Sequence, residues 1–250
     1  MTSRGAALWS VAGLAVFLGG WESAVQSGLL PRMLVPPPSA VPAAFMSEWR
    51  NGIWLRSIGA SLGHYLTGLA IGSALGILTG IAVALSPRVA AAQSGIARLL
   101  RPIPPLAWIP FALIWFGATE GAAAFIIAIG VFWVNYFATI AAVSGIDPGY
   151  HELAAAFGRR GLGARLGTII LPGAAPGILS GLRTGLGQGW MAVVAAELFG
   201  IPGIGQRMSE AAGLLATNVL VLYMLTIALL YAASDAIFQA VTRRVLSWTP

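Results

Sequence analysis

A few polar residues of this chain could do chemistry, and they stand within long apolar stretches. Arg183 lies inside one such stretch and Glu197 lies at its end, while His64 lies inside another. If these stretches cross a membrane, an ionisable group at mid-depth costs at least about 2.5 kcal/mol and normally faces other helices or a cavity. Arg183 could then either attract a passing oxyanion or bind the carbonyls of a neighbouring helix. Glu197 is expected to be a structural or gate partner, and His64 a hydrogen-bonded interior residue.

Other polar and aromatic residues interrupt the apolar stretches in the same way. Because polar groups facing lipid are penalised, we expect these residues to face inward, either as hydrogen-bonding contacts between helices or as the lining of a solute pathway. The candidates are Asn135, Tyr136, Gln188 and Trp190, together with Trp108 and Pro104 in a proline-rich segment.

Catalytic chemistry has little support in the sequence. The chain has no cysteine, which excludes disulfides and thiolate metal sites, and only two histidines, of which His151 lies in a polar loop far from His64. Neither a nucleophile-elbow motif nor His-Glu-x-x-His occurs, so we expect no catalytic residue and no metal site. There is also no phosphate-binding loop of the Gly-x-x-x-x-Gly-Lys-Ser/Thr type, since the chain has no lysine.

The composition places these residues in a membrane protein. Of the 250 residues, 58% are hydrophobic and 9% are charged, which is too few to cover a soluble globule of this size. We predict an all-α integral membrane protein of one domain, residues 1–250, with about six spanning helices. The first is expected to be retained, because no small-x-small cleavage site follows it cleanly. The predicted spans are Ala6–Trp21, Ile58–Leu85, Leu99–Phe116, Ala122–Val143, Thr168–Glu197 and Val219–Val241.

The arginines predict an orientation for these spans. If the N-terminus is cytoplasmic, nine arginines fall in loops on that side and four on the other, as the positive-inside rule requires. Both termini and a loop over residues 146–167 are then cytoplasmic, and a loop over residues 22–56 is external. Prolines prevent a regular helix early in the external loop, but Ala43–Trp49 is predicted to form a short interfacial one.

Glycine recurs at every fourth position in two of the predicted spans. This spacing leaves one ridge of each helix without side chains, so neighbouring backbones can approach closely. We expect both helices to lie in the packed centre of the protein. The glycines are Gly68, Gly72, Gly76 and Gly80 in the second span, and Gly173, Gly177, Gly181, Gly185 and Gly189 in the fifth.

The third span begins with four prolines between Pro102 and Pro110. Each internal proline removes a backbone donor and clashes with the preceding turn, at about 3 kcal/mol or more. Broken backbone at membrane depth is tolerated only inside protein or along a cavity. This segment is therefore either a kinked pathway element or a simple start of a helix at the interface.

The loop after the fourth span carries a predicted short helix. Asp147-Pro148 can cap and start it, Glu152 falls in its first turns, and Leu153, Ala156 and Phe157 form an apolar face. Gly158, Gly161 and Gly163 are expected to end it. An exposed helix of this kind suits a groove of a partner protein, although a solvated basic loop that only fixes the topology would have similar features.

These residues resemble a known family. The segment from Glu152 to Gly158, followed by Ile169-Ile170-Leu171-Pro172, resembles the Glu-Ala-Ala loop of permease subunits of binding-protein-dependent type I ABC importers. The proline-rich Arg101–Pro110, Gly181–Gly187 and Val194–Glu197 are similar to the nitrate, taurine and aliphatic-sulfonate branch. Among the departures, the interval from Gly158 to Pro172 is one residue longer, and Leu153 replaces an alanine.

The resemblance implies a permease subunit of the bacterial inner membrane that passes a small anion delivered by an external binding protein. It also implies a second permease subunit, taken here as an identical copy, and two cytoplasmic ATPases that use ATP and Mg. The loop would dock on the ATPase as a coupling helix. The residues implied in docking are Glu152, Ala154, Ala155, Phe157, Gly158, Arg159, Arg160, Leu171 and Pro172.

An ion-coupled secondary transporter or half-transporter is the alternative. It predicts paired carboxylates or an internal repeat of broken helices near mid-membrane, and the sequence shows neither.

Overall fold

The computed structural model describes residues 3–159 and 161–246, and the regular secondary structure in these ranges is helical. Short 3₁₀ turns at Pro38–Ala40 and Pro105–Trp108 and a π-helical turn at Leu166–Ile170 adjoin the α-helices. The α-helices are α1 (Ser3–Gln26), α2 (Val41–Arg50), α3 (Ile53–Leu85), α4 (Pro87–Leu100), α5 (Ile109–Phe116), α6 (Glu120–Ser144), α7 (Pro148–Ala156), α8 (Leu162–Arg165), α9 (Leu171–Glu197), α10 (Ile204–Gly213) and α11 (Thr217–Val245).

Five helical segments of the described chain are long and apolar enough to cross a membrane, and each overlaps a predicted span. The remaining predicted span, the third (Leu99–Phe116), falls in α4 and α5, which pass the same test only as a pair. Five or six spans therefore exist, depending on whether that pair is counted as one. The five segments are Leu8–Gln26, Ile53–Leu85, Glu120–Ser144, Leu162–Glu197 and Thr217–Val245.

The predicted break at the prolines is present, with a bend of 90° between α4 and the segment Pro105–Phe116. Pro104 has an extended backbone, with ψ of 150°, because the residue before a proline is excluded from the helical region. The sequence did not predict α4 as a helix of its own. Pro87 occupies its first turn, and the Val89 amide donates to the Ser86 hydroxyl at its start.

The chain forms two compact units. The first contains Met1–Ala60 and Pro202–Ala228, and the second contains Ser61–Ile201 and Leu229–Pro250. In the first unit, α2 confirms the helix predicted at Ala43–Trp49. Its Glu48 is buried and accepts hydrogen bonds from Arg207 at 2.7 and 3.1 Å and from the Tyr223 hydroxyl at 2.8 Å. No sequence pattern predicted this cluster.

In the second unit, both glycine ridges pack against α6, as the spacing predicted for helices of a packed centre. A methyl group on Gly72 would lie 2.5 Å from the Ala128 carbonyl oxygen, and one on Gly76 would lie 2.7 Å from the Phe132 oxygen. On the fifth span, a methyl group on Gly177 would lie 2.6 Å from Ala142 Cβ. Real side-chain carbons do not approach so closely, so the helix backbones meet directly along α6.

Candidate functional site: the loop after α6 and the polar groups of the helices

The start of α7 is capped as the sequence predicted. The Asp147 carboxylate accepts a hydrogen bond of 2.7 Å from the Gly149 amide, and Pro148 occupies the first turn, where a missing N–H costs nothing. These two residues fix where the chain turns from the end of α6 into α7.

The end of α7 is a glycine-dependent reversal. Gly158 has φ of +75°, the left-handed conformation that favours glycine. Its amide donates to the Ala155 carbonyl at 3.1 Å, and the Arg159 amide donates to the Ala154 carbonyl at 2.8 Å. These two bonds form a Schellman motif, which satisfies carbonyls that the helix end leaves open. Gly163, which was expected to help end the helix, lies instead within α8.

The α7 surface is largely open. Ala154 is buried and Ala155 is half-buried, whereas Glu152, Gly158 and Arg159 are exposed. The predicted apolar face is exposed too: Leu153 keeps 55% and Phe157 keeps 76% of its accessible surface. Arg160 lies outside the described residues.

The segment after α8 leads into α9 through the π-helical turn. The Leu171 amide donates to the Leu166 carbonyl, five residues back instead of four. Leu171 and Pro172 are exposed in the first turn of α9. Pro172 has no N–H to offer to the Thr168 carbonyl, which favours a widened turn at this point.

Arg183 has a partner that the sequence analysis did not consider. Its guanidinium makes two parallel bonds to the Asp235 carboxylate of α11, of 2.7 and 3.0 Å. The charge of Arg183 is therefore compensated within the chain. The sequence feature that could have indicated this partner is Asp235 itself, because it is a carboxylate inside the apolar stretch of α11.

Glu197 and His64 are brought together, although they are 133 residues apart. The Glu197 carboxylate is fully buried, lies 2.9 Å from His64 Nδ1 and accepts a bond of 2.8 Å from the Ser61 hydroxyl. His64 is therefore a buried, hydrogen-bonded residue, as expected, and the structural or gate role of Glu197 stays a prediction. Among the described residues there is no group of three or more His, Cys, Asp or Glu side chains that could hold a metal ion.

The remaining polar candidates are distributed along α6 and α9. Asn135 is buried and donates to the Ser73 hydroxyl at 3.1 Å, and Tyr136 is buried beside it. Trp190 stacks on Tyr65 with ring centroids 4.4 Å apart, and its indole N–H donates to Ser234 at 3.3 Å.

Two of the proline-segment candidates lie in different surroundings. Trp108 packs edge-on against Phe125, with centroids 6.4 Å apart. Pro104 and Gln188 line one cavity of about 290 Å³, together with Trp133.

Comparison with known proteins identifies the family to which the chain belongs. The family of binding-protein-dependent transport system inner membrane components matches residues 72–247. The chain belongs to this family. It is a multi-pass permease subunit of an ABC importer, and its relatives are permease subunits and not enzymes.

Two relatives place it in the branch that the sequence resembles. The taurine transport system permease protein of Escherichia coli (strain K12) is 33% identical over 249 residues, which covers 96% of this chain and 89% of the relative. The putative aliphatic sulfonates transport permease protein of the same organism is 32% identical over 231 residues, covering 92% and 88%.

A solved structure supports the fold. The methionine ABC transporter in inward-facing conformations aligns with a TM-score of 0.62 and 22% identity, and the alignment covers 78% of this permease and 99% of that chain.

Proposed function

We propose that this permease passes a small anion across the inner membrane as one half of a homodimer. An external binding protein delivers the solute, and two cytoplasmic ATPases supply the energy with ATP and Mg. The termini and the loop over residues 146–167 face the cytoplasm, and residues 22–56 face outward, in one permease domain.

The observation that carries this proposal is the exposed apolar face of α7. The helix is capped at both ends, so its shape is fixed by its own residues. Leu153 and Phe157 are nevertheless left open to solvent, at a cost of roughly 1.5 to 3 kcal/mol for each side chain that could be buried. A partner groove that covers them recovers this energy, which is the pattern of a helix that docks in a groove.

Docking by α7 is assigned to particular residues. Phe157 and Leu153 fill the groove, and Glu152 and Arg159 supply charges at its rim. Ala154 and Ala155 allow close approach, Gly158 sets the reversal, Arg160 belongs to the same loop, and Leu171 and Pro172 at the start of α9 complete the docking set.

The anionic substrate is supported by the relatives, whose names specify taurine, aliphatic sulfonates and, in Synechococcus elongatus, bicarbonate. All of these solutes carry an oxyanion group. Because Arg183 is paired with Asp235, its charge does not support the assignment of an anionic substrate. We assign Pro104 and Gln188 to the pathway lining and Trp108 to the wall behind it. His64, Asn135, Tyr136, Trp190, Arg183 and Glu197 hold the surrounding helices in place.

The docking role is tested with Phe157→Ala in the complete importer. Loss of the Phe157 side chain should release the ATPase subunits during purification and reduce ATP-dependent uptake in proteoliposomes by at least about tenfold. Leu162→Ala is the matched control, because Leu162 is also exposed, at 60%, but lies in α8. Uptake that continues after the ATPase subunits are removed would contradict the proposal and support an ion-coupled transporter.

A further inference from the structure

Arg101 lies at the start of the predicted third span, and its guanidinium carbon lies 4.4 Å from the ring centroid of Phe137. Phe137 belongs to α6, which spans Glu120–Ser144, and it is five residues from the middle of that helix. At about 1.5 Å per residue, this is about 7.5 Å from the middle and about 10 Å from the end. The guanidinium of Arg101, an exposed residue, therefore lies alongside a candidate membrane span and short of its end.

The charge of Arg101 is not compensated by a carboxylate of the described chain. Arg183 and Arg207 have ion pairs with Asp235 and Glu48, but no ion pair or hydrogen bond to the Arg101 side chain occurs within residues 3–159 and 161–246. Stacking on an aromatic ring covers one face of a guanidinium and leaves its N–H edge available for a forked pair of bonds. An ionisable group at this depth without a partner marks a functional position.

Arg101 opens onto the cavity that Pro104 and Gln188 line. The cavity has a volume of about 290 Å³, which is near the lower end of small-molecule sites. Its walls include Trp133, Val134 and Phe137, so they are mainly apolar, and the Gln188 side chain adds an amide donor. One cation and one amide among apolar walls are complementary to a small molecule with an anionic end and an apolar body.

We propose that this cavity is the site at which the permease holds its solute, and that the solute is a small organic oxyanion such as a short alkanesulfonate. The oxyanion lies against the Arg101 guanidinium and the Gln188 amide, and the carbon chain lies against Trp133 and Pro104. A fully hydrated inorganic anion would gain nothing from the apolar walls. This inference rests on the proposed import of an anion and assigns it to Arg101, not to Arg183.

Binding is tested on the purified full-length permease in detergent, with sodium ethanesulfonate as the probe. At ten times its Kd, ethanesulfonate should raise the Tm of the wild type by about 3 to 6 °C, and ethylammonium chloride should not. Arg101→Gln should abolish the shift, and Gln188→Leu should weaken ethanesulfonate binding by about tenfold. Arg88→Gln is the matched control, because Arg88 is an exposed arginine in the first turn of α4. An equal shift in Arg101→Gln would overturn the assignment.

Transport separates this inference from the proposed function. In proteoliposomes that contain the whole importer, Arg101→Gln should lower ethanesulfonate uptake by about tenfold or more, and Arg101→Lys should retain part of the uptake. ATP-dependent uptake that is unchanged in Arg101→Gln would refute the site but leave the importer intact. Uptake without ATP would refute the proposal of ATP-driven import. The binding assay would still show whether the cavity beside Arg101 holds the solute. Failure of Arg101→Gln to form the dimer, with dimers restored by Arg101→Lys, would show that Arg101 pairs across the subunit interface and would overturn the site.

Discussion

Replacing Gly72 by alanine tests the direct contact between α3 and α6. The added methyl carbon would lie 2.5 Å from the Ala128 carbonyl oxygen and 2.9 Å from Ala128 Cα, both of which are backbone atoms. An ordinary C···O contact is about 3.3 Å or longer, so the helices must separate by about 0.8 Å locally. Overpacking of this kind costs about 1 to 3 kcal/mol, which exceeds the gain of about 0.5 to 1 kcal/mol from replacing a helical glycine.

The assay is thermal unfolding of the purified permease in detergent, with Gly63→Ala as the control. Gly63 lies in the same helix, but a methyl group there meets nothing within 4 Å. For a chain of this size, Gly72→Ala should lower the Tm by about 1 to 8 °C after the helical gain is subtracted, and Gly63→Ala should leave it equal or raise it. Equal Tm values for the two variants would refute the direct backbone contact.

Three further predictions address the other elements. The hydrogen bond from Arg207 lowers the pKa of Glu48 below its ordinary value of 4.5. The stability that Glu48 contributes is therefore complete above pH 4.5 and is lost as the pH falls through the lowered pKa. Thermal unfolding between pH 3 and 6 should show this loss in the wild type and not in Glu48→Gln. Gly158→Ala places a side chain at φ of +75° and should cost about 1 kcal/mol at the end of α7, which lowers transport-coupled ATPase activity, whereas Gly161→Ala at φ of −71° should not. Glu197→Leu leaves buried polar partners unsatisfied and should lower stability by roughly 1 to 3 kcal/mol, measured by chemical unfolding; a smaller loss in Glu197→Leu than in Glu197→Gln would contradict the buried cluster.

The features that sequence patterns predicted are local ones. The glycine spacing of α3 and α9 is periodic, the prolines after Arg101 break any helix, and Asp147-Pro148 carries its own cap. Each of these depends on neighbouring residues in the chain, so it can be recognised without knowing what lies opposite. The short helix α7 was predicted for the same reason, as was the break between α4 and α5.

The pairings between distant elements could not be predicted in this way. Arg183 meets Asp235 across 52 residues, and Glu48 meets Arg207 across 159. Periodicity shows that a charged residue needs a partner, but it does not show which helix provides that partner. The common role of α6 was missed for the same reason, because its own sequence has no glycine ridge and it acts as the surface on which two such ridges pack.

The interval from Gly158 to Pro172 is one residue longer than in the family that the sequence resembles, and the π-helical turn at Leu166–Ile170 can accommodate that residue. Each such turn holds one residue more than an α-helical turn, so an insertion is absorbed as a local bulge and the helix beyond it keeps its alignment. A change of one residue at this point can therefore leave the face that α9 presents to α6 unchanged. Removing one residue from this turn, such as Gly167, is the corresponding deletion that the fold should tolerate, because it would convert the bulge to an ordinary turn.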